Sequence, residues 1–261
     1  MTQISIILPA YNEEKRLDRA LAKITAYMRH IGYRWECVVV ENGSTDQTGR
    51  IARQWASRYP EIRALQSDPG KGAAVRRGML AARGRYRYMA DVDLSTPIES
   101  IQEFLAHARK VCHTPDGLPE GYDIVIGSRN LAGSTRENEP EQRHYMGQVF
   151  NSIVQMYLLM GIYDSQCGFK MFTEQAARDL FGRAVIDGWA FDVEILYLAR
   201  RLGYRIHELP VTWVYDADSR VEGFKTAWAM FWDVVRIRRN ANKGVYRLKQ
   251  APEMPQVKIT P

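Results

Sequence analysis

Residues 4–9 read Ile-Ser-Ile-Ile-Leu-Pro, a short apolar run rich in β-branched side chains and ended by proline, which is typical of a buried β-strand. A helical pattern follows over residues 13–31, and a second apolar run covers residues 35–40. The polar cluster at residues 41–46 comes next, and its Ser, Thr and Asp side chains suit the start of a helix that continues to about residue 59. This β-α-β-α order predicts an α/β fold with a mostly parallel sheet.

The alternation continues along the chain. It predicts further strands near residues 62–66, 86–90 and 123–127, and helices near 73–83 and 97–110. Beyond these, the pattern predicts a charged loop at 129–143, helices at 173–183 and 191–202, a strand at 206–214 and a last helix at 224–239. Such a doubly wound sheet gathers its ligands outside the carboxyl ends of the strands. Residues 250–261 lack apolar periodicity and are expected to form a flexible tail.

Composition is that of a soluble globular protein. The 261 residues are 46% hydrophobic and 25% charged, which excludes disordered, collagen-like and coiled-coil classes. The net charge of +6 suits a phosphate-bearing substrate, an anionic membrane or nucleic acid. Three widely spaced cysteines and no CxxC pair argue against a disulfide framework and a zinc site. This cysteine pattern favours a reducing compartment, and we expect a cytoplasmic location. The start of the chain has no basic segment followed by a cleavable apolar stretch, so we expect no signal peptide.

The strongest short motif is Asp91-Val92-Asp93, directly after a predicted strand. Two carboxylates separated by one residue offer hard oxygen ligands to Mg²⁺ or Mn²⁺, which would bridge a diphosphate. A solvated turn is the alternative interpretation of an isolated Asp-x-Asp.

A second motif, Asp68-Pro69-Gly70-Lys71-Gly72, opens a predicted helix. Free backbone N–H groups and the Lys71 cation could hold phosphate oxygens at the helix N-terminus. The motif is neither a P-loop nor a dinucleotide fingerprint, because Val75 occupies the place of the third glycine. Taken alone, it fits a plain helix-entry turn equally well.

Together, several blocks resemble the family-two glycosyltransferases of the GT-A fold, and most closely the dolichyl-phosphate glucosyltransferases and related polyprenyl-phosphate sugar transferases. The resemblance spans about residues 4–213. In chain order the blocks are Pro9-Ala10-Tyr11-Asn12-Glu13-Glu14, Glu41-Asn42-Gly43-Ser44-Thr45-Asp46, Gly70-Lys71-Gly72, Asp91-Val92-Asp93-Leu94-Ser95-Thr96, Gly127-Ser128-Arg129, Asp164-Ser165-Gln166-Cys167-Gly168-Phe169-Lys170 and Phe191-Asp192-Val193-Glu194.

The resemblance implies a single catalytic domain over residues 1–249. Its nucleotide-sugar half would be 1–127, its acceptor half 128–215, and its C-terminal helix 216–249. The residues implied for the donor are Pro9, Tyr11 and Glu13 for base and ribose, Lys71 for a phosphate, and Asp91 with Asp93 for the nucleotide and its metal.

One position departs from the family pattern, because Glu41-Asn42 stands where a pair of aspartates is usual. Guanine presents two adjacent donors that suit a carboxylate, whereas uracil presents one N–H between carbonyls, to which an amide can both accept and donate. This favours a uridine nucleotide. Asn42 also suits a structural turn, and a GDP-mannose-dependent lipid-phosphate mannosyltransferase remains an alternative.

The second half is expected to bind the acceptor. The resemblance and the charge pattern favour a dolichyl or polyprenyl phosphate, held by guanidinium and ammonium groups. The residues concerned are Ser128, Arg129, Arg136, Arg143 and Lys170. Without the family context, a solvated basic loop is the favoured interpretation of this segment.

The resemblance also implies an acidic residue near the acceptor nucleophile. Asp164 matches that position, with Asp192 and Glu194 as further candidates, although Asp164 alone would also fit a turn. A phosphate monoester has its second pKa near 6, so Asp164 would orient the acceptor more than deprotonate it. The expected reaction is one in-line displacement that inverts the anomeric centre.

Two segments suggest attachment to a membrane surface without a span. Residues 145–163 carry no charge, yet a polar stripe makes the helix amphipathic rather than apolar all round. Residues 224–239 place aromatic side chains beside arginines, as at a lipid headgroup interface. Both patterns suit core helices equally well. We expect peripheral attachment at the cytoplasmic face of a membrane.

Two other functions compete with a lipid-phosphate acceptor. One keeps the UDP-sugar donor and uses a soluble sugar or a polysaccharide as acceptor. The other is nucleic-acid binding, which the basic charge suggests; the absence of a recognisable motif and the interspersed acidic residues argue against it.

Overall fold

The computed structural model describes residues 2–109, 112–113, 119–216 and 223–247. Eleven strands lie in these ranges: β1 Ile4–Ala10, β2 Trp35–Glu41, β3 Ile62–Gln66, β4 Tyr86–Met89, β5 Cys112–His113, β6 Pro119–Glu120, β7 Ile124–Ser128, β8 Thr135–Glu137, β9 Lys170–Thr173, β10 Ile206–Pro210 and β11 Thr212–Val214. Seven of them form one sheet in the order β10-β7-β9-β4-β1-β2-β3. The pairs β5·β6 and β8·β11 are separate. The mostly parallel α/β sheet predicted from the sequence is therefore confirmed.

Strand β9 is the exception to the parallel arrangement. It lies between β4 and β7 and runs antiparallel to both. The sequence pattern did not predict it, because β9 has four residues and begins with a charged side chain, Lys170, that is nevertheless buried. Its reversed direction brings its first residue, rather than its last, to the edge where the parallel strands end.

Eight α-helices accompany the strands in the described ranges: α1 Leu17–Ile31, α2 Thr48–Arg58, α3 Lys71–Ala81, α4 Ile101–Arg109, α5 Glu141–Tyr157, α6 Glu174–Arg183, α7 Phe191–Arg201 and α8 Gly223–Asn242. A short 3₁₀ turn at Ile98–Ser100 precedes α4. Apolar residues of α1, α2 and α4 form a core on one face of the sheet. Those of α3, α6, α7 and α8 form a second core on the other face, so the sheet is doubly wound.

Two predicted elements differ in their bounds for local reasons. Helix α1 begins at Leu17 rather than at residue 13, because Asn12 adopts a left-handed φ of 55° and the Arg16 amide donates to the Glu13 carbonyl in a turn. The strand predicted at 206–214 is two strands separated by Val211, β10 in the main sheet and β11 beside β8. The predicted tail at 250–261 lies outside the described residues.

The topology gathers the polar motifs at one edge of the sheet. Strands β1, β2, β3, β4 and β7 all end there, and antiparallel β9 begins there. The loops that follow β1, β2 and β4, together with the segment that precedes β9, therefore meet in space although they are distant in the chain. This is the edge at which doubly wound sheets bind ligands.

Candidate active site

The loops after β1 and β2 are joined by hydrogen bonds. The Asn12 amide donates to Ser44 Oγ over 3.0 Å, and the Thr45 amide donates to Asn12 Oδ1 over 2.8 Å. The Glu13 amide donates to Thr48 Oγ1 over 2.6 Å. Two motifs separated by about thirty residues thus form one surface beside the exposed ring of Tyr11. Pro9 lies just before it, within β1.

At the end of β2, Glu41 and Asn42 differ in their hydrogen bonds. Glu41 accepts hydrogen bonds from the Ser44 amide and, over 3.3 Å, from Gln66 Nε2, so it holds its own loop together. Asn42 is buried, and its side-chain oxygen has no hydrogen-bond partner among the described residues. A buried carbonyl without a partner costs about 1–3 kcal/mol, and a ligand that donates to it would remove this cost.

After β4, a cation and two carboxylates form a compact cluster. Lys71 Nζ lies 2.7 Å from Asp91 Oδ1, and Asp93 Oδ1 accepts the Ser95 amide over 2.9 Å. Burial, with the nearby charge of Asp91, raises the pKa of Asp93. Burial would lower the pKa of Lys71, but Asp91 and Asp192 raise it, so Lys71 is a firmly charged ammonium.

The donor set of this cluster fits a divalent cation. Asp91 and Asp93 supply hard carboxylate oxygens, the ligand type of Mg²⁺ and Mn²⁺, and they repel each other without a cation. In the part of the chain that the structure describes, no three His, Cys, Asp or Glu side chains group closely enough to hold a metal by themselves. A metal here would therefore take its remaining ligands from a diphosphate and from water.

The loop before α3 supplies fewer free N–H groups than its sequence predicts. The Gly72 and Ala73 amides both donate to the Asp187 carbonyl, over 2.8 and 3.3 Å. Glycine is required at 72, because a Cβ there would lie 2.4 Å from the Ile186 carbonyl oxygen. The prediction of free amides at this helix start is wrong for these two groups. Phosphate binding by the Lys71 ammonium stays a prediction.

A glycine joins the Asp91 cluster to the segment that precedes β9. A Cβ at Gly168 would lie 2.1 Å from Asp91 Oδ2, so any larger residue here would force the Asp91 side chain to move. The Asp164–Lys170 motif therefore contacts the Asp91 carboxylate directly.

Asp164 is held in a bidentate ion pair. Arg129 Nε donates to Oδ2 over 2.7 Å and Nη2 to Oδ1 over 2.9 Å, while the Arg129 amide adds a third bond to Oδ2. Burial would raise the pKa of Asp164, but Arg129 lowers it, so the carboxylate stays ionised. The Arg129 guanidinium also lies over the Trp213 ring, 5.3 Å from its centroid.

A second buried pair links β9 to α7. Lys170 Nζ lies 2.7 Å from Asp192 Oδ1 and also donates to the Cys167 carbonyl over 2.5 Å. Burial raises the pKa of Asp192 despite the nearby cations Lys170 and Lys71. Of the three acidic candidates, Asp192 is therefore the one whose charge acts directly on Lys71.

The remaining predicted acceptor residues are engaged within the chain. Arg136 donates to the Arg129 carbonyl, to Glu139 over 2.6 Å and to Asn130 Oδ1 over 2.6 Å. Ser128 is fully buried. The side chain of Arg143, on α5, lies outside the described residues. An acceptor phosphate at this loop would have to exchange with these internal partners.

Glu194 lies apart from the cluster. Its carboxylate accepts the amides of Val185 and Ile186, over 3.1 and 2.9 Å, and the Tyr246 hydroxyl over 2.9 Å. Glu194 thereby fixes the loop whose Asp187 carbonyl accepts hydrogen bonds from the start of α3. Its role is to position this loop.

Two tryptophans at the site were missed by the sequence reasoning. Trp189 packs its ring against Lys71, and Trp213 packs against Arg129. Trp189 lies three residues before Asp192 in the chain, and this closeness to a candidate site residue is the feature of the sequence that could have indicated it.

The two segments considered for membrane attachment contact each other and carry exposed apolar side chains. Helix α5 ends at Tyr157, earlier than the predicted 163, and Arg238 of α8 lies over the Tyr157 ring, 4.8 Å from its centroid. We call the exposed apolar side chains of these two segments the α5–α8 face; they are Met156, Tyr157, Met160, Trp228 and Trp232. None of the helices in the described ranges is long and apolar enough to cross a membrane.

Comparison with known proteins identifies the family of this chain. The family model described as glycosyl transferase family 2 matches residues 5–181. Dolichyl-phosphate beta-glucosyltransferase of Mus musculus is 34% identical over 258 residues, covering 95% of this chain and 78% of its own. The protein of that name from Saccharomyces cerevisiae is 32% identical, covering 94% and 76%.

Solved structures agree with the fold. Glucosyl-3-phosphoglycerate synthase from Mycobacterium tuberculosis in complex with UDP superposes with a TM-score of 0.65 at 18% identity, covering 90% of this chain and 80% of its own. The same enzyme with Mn²⁺, UDP-glucose and phosphoglyceric acid also gives a TM-score of 0.65 and 18% identity, covering 90% and 79%. With the family model matching most of its length and relatives above 30% identity over nearly all of it, this chain belongs to glycosyl transferase family 2 and is a glycosyltransferase with the GT-A fold.

Proposed function

We propose that this protein transfers glucose from UDP-glucose to a dolichyl or polyprenyl phosphate, with inversion at the anomeric carbon. The relatives named dolichyl-phosphate beta-glucosyltransferase support the sugar and the acceptor. The observation that supports the proposal most is the approach of Gly168 to Asp91, because the motif proposed to bind the acceptor then lies against the cluster proposed to bind the diphosphate. Donor and acceptor would thus meet at one point.

The donor would lie across the ends of β1, β2 and β4. The unpaired Asn42 oxygen is an acceptor for the single N–H of uracil, and Tyr11 and Glu13 border the same surface. Lys71 would bind a phosphate oxygen in place of Asp91. A solved structure of the same fold that holds UDP-glucose and Mn²⁺ supports such a donor.

Asp91 and Asp93 would hold the divalent cation, Mg²⁺ or Mn²⁺. When bound, the metal would neutralise charge that develops on the departing diphosphate. The chain contributes the two carboxylates, and the Ser95 amide fixes Asp93 by a hydrogen bond. Lys71 adds a fixed positive charge beside them.

In the proposed reaction an acceptor phosphate oxygen attacks the anomeric carbon from the face opposite the diphosphate. The new C1–O bond forms as the bond from C1 to the UDP oxygen breaks, so an α-linked donor gives a β-linked sugar phosphate. At neutral pH the phosphate is largely dianionic, so little proton transfer is needed. Asp192, whose pKa is raised, can accept the remaining proton, while Asp164 holds Arg129 in place.

The proposal is tested by donor binding and product analysis. We expect calorimetry to show that UDP binds more tightly than GDP, and that Mn²⁺ strengthens the binding. With UDP-glucose and a short-chain polyprenyl phosphate, the expected product has a β-anomeric proton by NMR. An α-linked product contradicts inversion, and a preference for GDP and GDP-mannose contradicts the assignment of Asn42.

A soluble phosphorylated acceptor is the second candidate. It is favoured by the structural neighbour that holds phosphoglyceric acid beside UDP-glucose. Running the transfer assay with phosphoglyceric acid in place of the lipid phosphate separates the two, since each candidate predicts turnover with only one of them.

We also propose that the protein attaches peripherally to the cytoplasmic face of a membrane through the α5–α8 face. Met156 and Met160 are 86% and 77% exposed, and Trp228 and Trp232 are 65% and 55% exposed, far more than a folded core leaves open. The basic side chains of Arg236, Arg238 and Arg239 follow on α8. Aromatic side chains beside arginines suit a lipid headgroup layer.

The double substitution Trp228→Ser with Trp232→Ser is expected to reduce co-sedimentation with anionic vesicles at least tenfold, because two large apolar side chains no longer enter the bilayer. Turnover of a water-soluble, short-chain acceptor is expected to change less than twofold. The matched control, Leu80→Ser on α3, removes another exposed apolar side chain and is expected to leave vesicle binding intact. Vesicle binding that is equal in all three proteins contradicts the assignment of this face.

A further inference from the structure

Trp189 is an exposed tryptophan inside the candidate active site. Its ring lies against Lys71, whose Nζ is 5.1 Å from the ring centroid, and Lys71 Nζ in turn lies 2.7 Å from Asp91 Oδ1. The side chain is nevertheless 38% exposed, although Ala190 and Phe191 beside it are buried. An aromatic surface is therefore left open next to the group expected to bind a phosphate.

The loop that carries Trp189 is held from both sides. Glu194 binds the amides of Val185 and Ile186, and the Asp187 carbonyl accepts the Gly72 amide over 2.8 Å. Ala190 and Phe191 begin α7 within the core. The backbone that carries the indole is therefore held in place, and the ring itself contacts Lys71, as a selective site requires.

We infer that the Trp189 indole packs against the hexose ring of the donor and contributes to selection of glucose; this inference rests on the proposed function. The hexose is bonded to the diphosphate, so a phosphate at Lys71 brings the sugar within reach of the ring. Glucose has hydrogen atoms at every axial position from C2 to C5, which gives it flat apolar faces that an aromatic ring can cover. Galactose places an axial hydroxyl at C4, on the face that carries H4 of glucose. An indole packed over C3, C4 and C5 on this face would meet that hydroxyl and leave C1 open to the acceptor.

The test compares UDP with UDP-glucose on the same protein. For Trp189→Ala we expect the affinity for UDP to stay within about twofold, and the affinity for UDP-glucose to fall roughly tenfold, the loss expected when one aromatic packing contact is removed. The preference for UDP-glucose over UDP-galactose in kcat/KM is expected to fall by a similar factor. Trp189→Phe, which keeps a flat ring, is expected to retain most of both. Leu80→Ala serves as the control for shortening an exposed apolar side chain.

Two other outcomes of the Trp189→Ala measurements reject the inference. If Trp189→Ala weakens UDP and UDP-glucose equally, Trp189 acts by orienting Lys71 rather than by touching the sugar. If both affinities and the sugar preference stay unchanged, the ring does not meet the donor. Failure of the wild-type protein to bind UDP would instead reject the proposed function, so the two failures are distinguishable.

Discussion

Asp93→Asn is expected to lower kcat/KM for UDP-glucose by about 10²–10³-fold, since losing a metal-binding carboxylate removes several kcal/mol of stabilisation from the departing diphosphate. Asn keeps the shape of the side chain and can still accept the Ser95 amide, so the loop should keep its conformation. The dependence of UDP affinity on Mn²⁺ should disappear in the same variant. Calorimetry with and without Mn²⁺ and steady-state kinetics measure both effects.

The same substitution is expected to preserve thermal stability. Burial and Asp91 raise the pKa of Asp93 in the folded protein, so the ionised carboxylate opposes folding. That contribution is unfavourable at neutral pH and is relieved as the pH falls and the group binds a proton. An uncharged Asn should therefore leave the Tm unchanged or raise it at pH 7.

Glu103→Gln on α4 is the matched control, because it removes an exposed carboxylate outside the site. It should leave both kcat/KM and the effect of Mn²⁺ unchanged. If Asp93→Asn loses activity together with several degrees of Tm, the role of Asp93 is structural, and the metal assignment fails.

The sequence predicts an element of the fold well when the residues that stabilise it lie close together in the chain. Strand β3 and the core-facing runs of β1 and β2 follow from local apolar patterns, which the structure confirms. Strand β9 does not, because its first residue, Lys170, is charged. Its burial is stabilised by Asp192, which lies twenty-two positions away in the chain and belongs to another element. A local pattern holds no information on such a partner.

The candidate site likewise has features that the sequence predicts and features that it does not predict. Topology alone predicts that Lys71 and Asp91 lie at one edge, since each follows a parallel strand of the sheet. It does not predict that the Asp187 carbonyl occupies the amides at the start of α3, or that Arg129 and Lys170 are already neutralised. Charged residues in a sequence show which groups are available, but only the fold shows which of them are already paired.

The Arg129–Asp164 pair has the largest expected effect on stability. Asp164 is buried and takes two hydrogen bonds from the Arg129 guanidinium, so Arg129→Ala leaves the carboxylate without its paired cation. Removal of one partner of a buried pair costs about 3–5 kcal/mol. Urea unfolding at pH 7 should show this loss. In contrast, Arg178→Ala breaks an exposed pair with Glu174 on α6 and should cost less than about 1 kcal/mol.

The pH dependence of the free energy of unfolding shows whether the loss in Arg129→Ala comes from the buried Asp164 charge. In the wild type the pKa of Asp164 is lowered, so its contribution to stability is present above the ordinary carboxyl pKa and is lost as the pH falls through the lowered value. In Arg129→Ala the buried carboxyl keeps the backbone amides of residues 129 and 166 as donors but loses the guanidinium, so its pKa should rise. The variant should therefore regain stability on acidification, and its difference from the wild type should narrow between pH 7 and pH 5.

A double variant separates stability from function. Replacing both partners, as Arg129→Met with Asp164→Leu, removes the unpaired charge, and such replacements restore much of the loss in other buried pairs. We expect this protein to unfold closer to the wild type than Arg129→Ala does, and yet to transfer glucose at least 10²-fold more slowly, because the acceptor loses a positioned guanidinium worth about 3 kcal/mol. Full activity in the stable double variant would show that the pair serves folding alone, and the acceptor phosphate would then have to be sought elsewhere at this edge of the sheet.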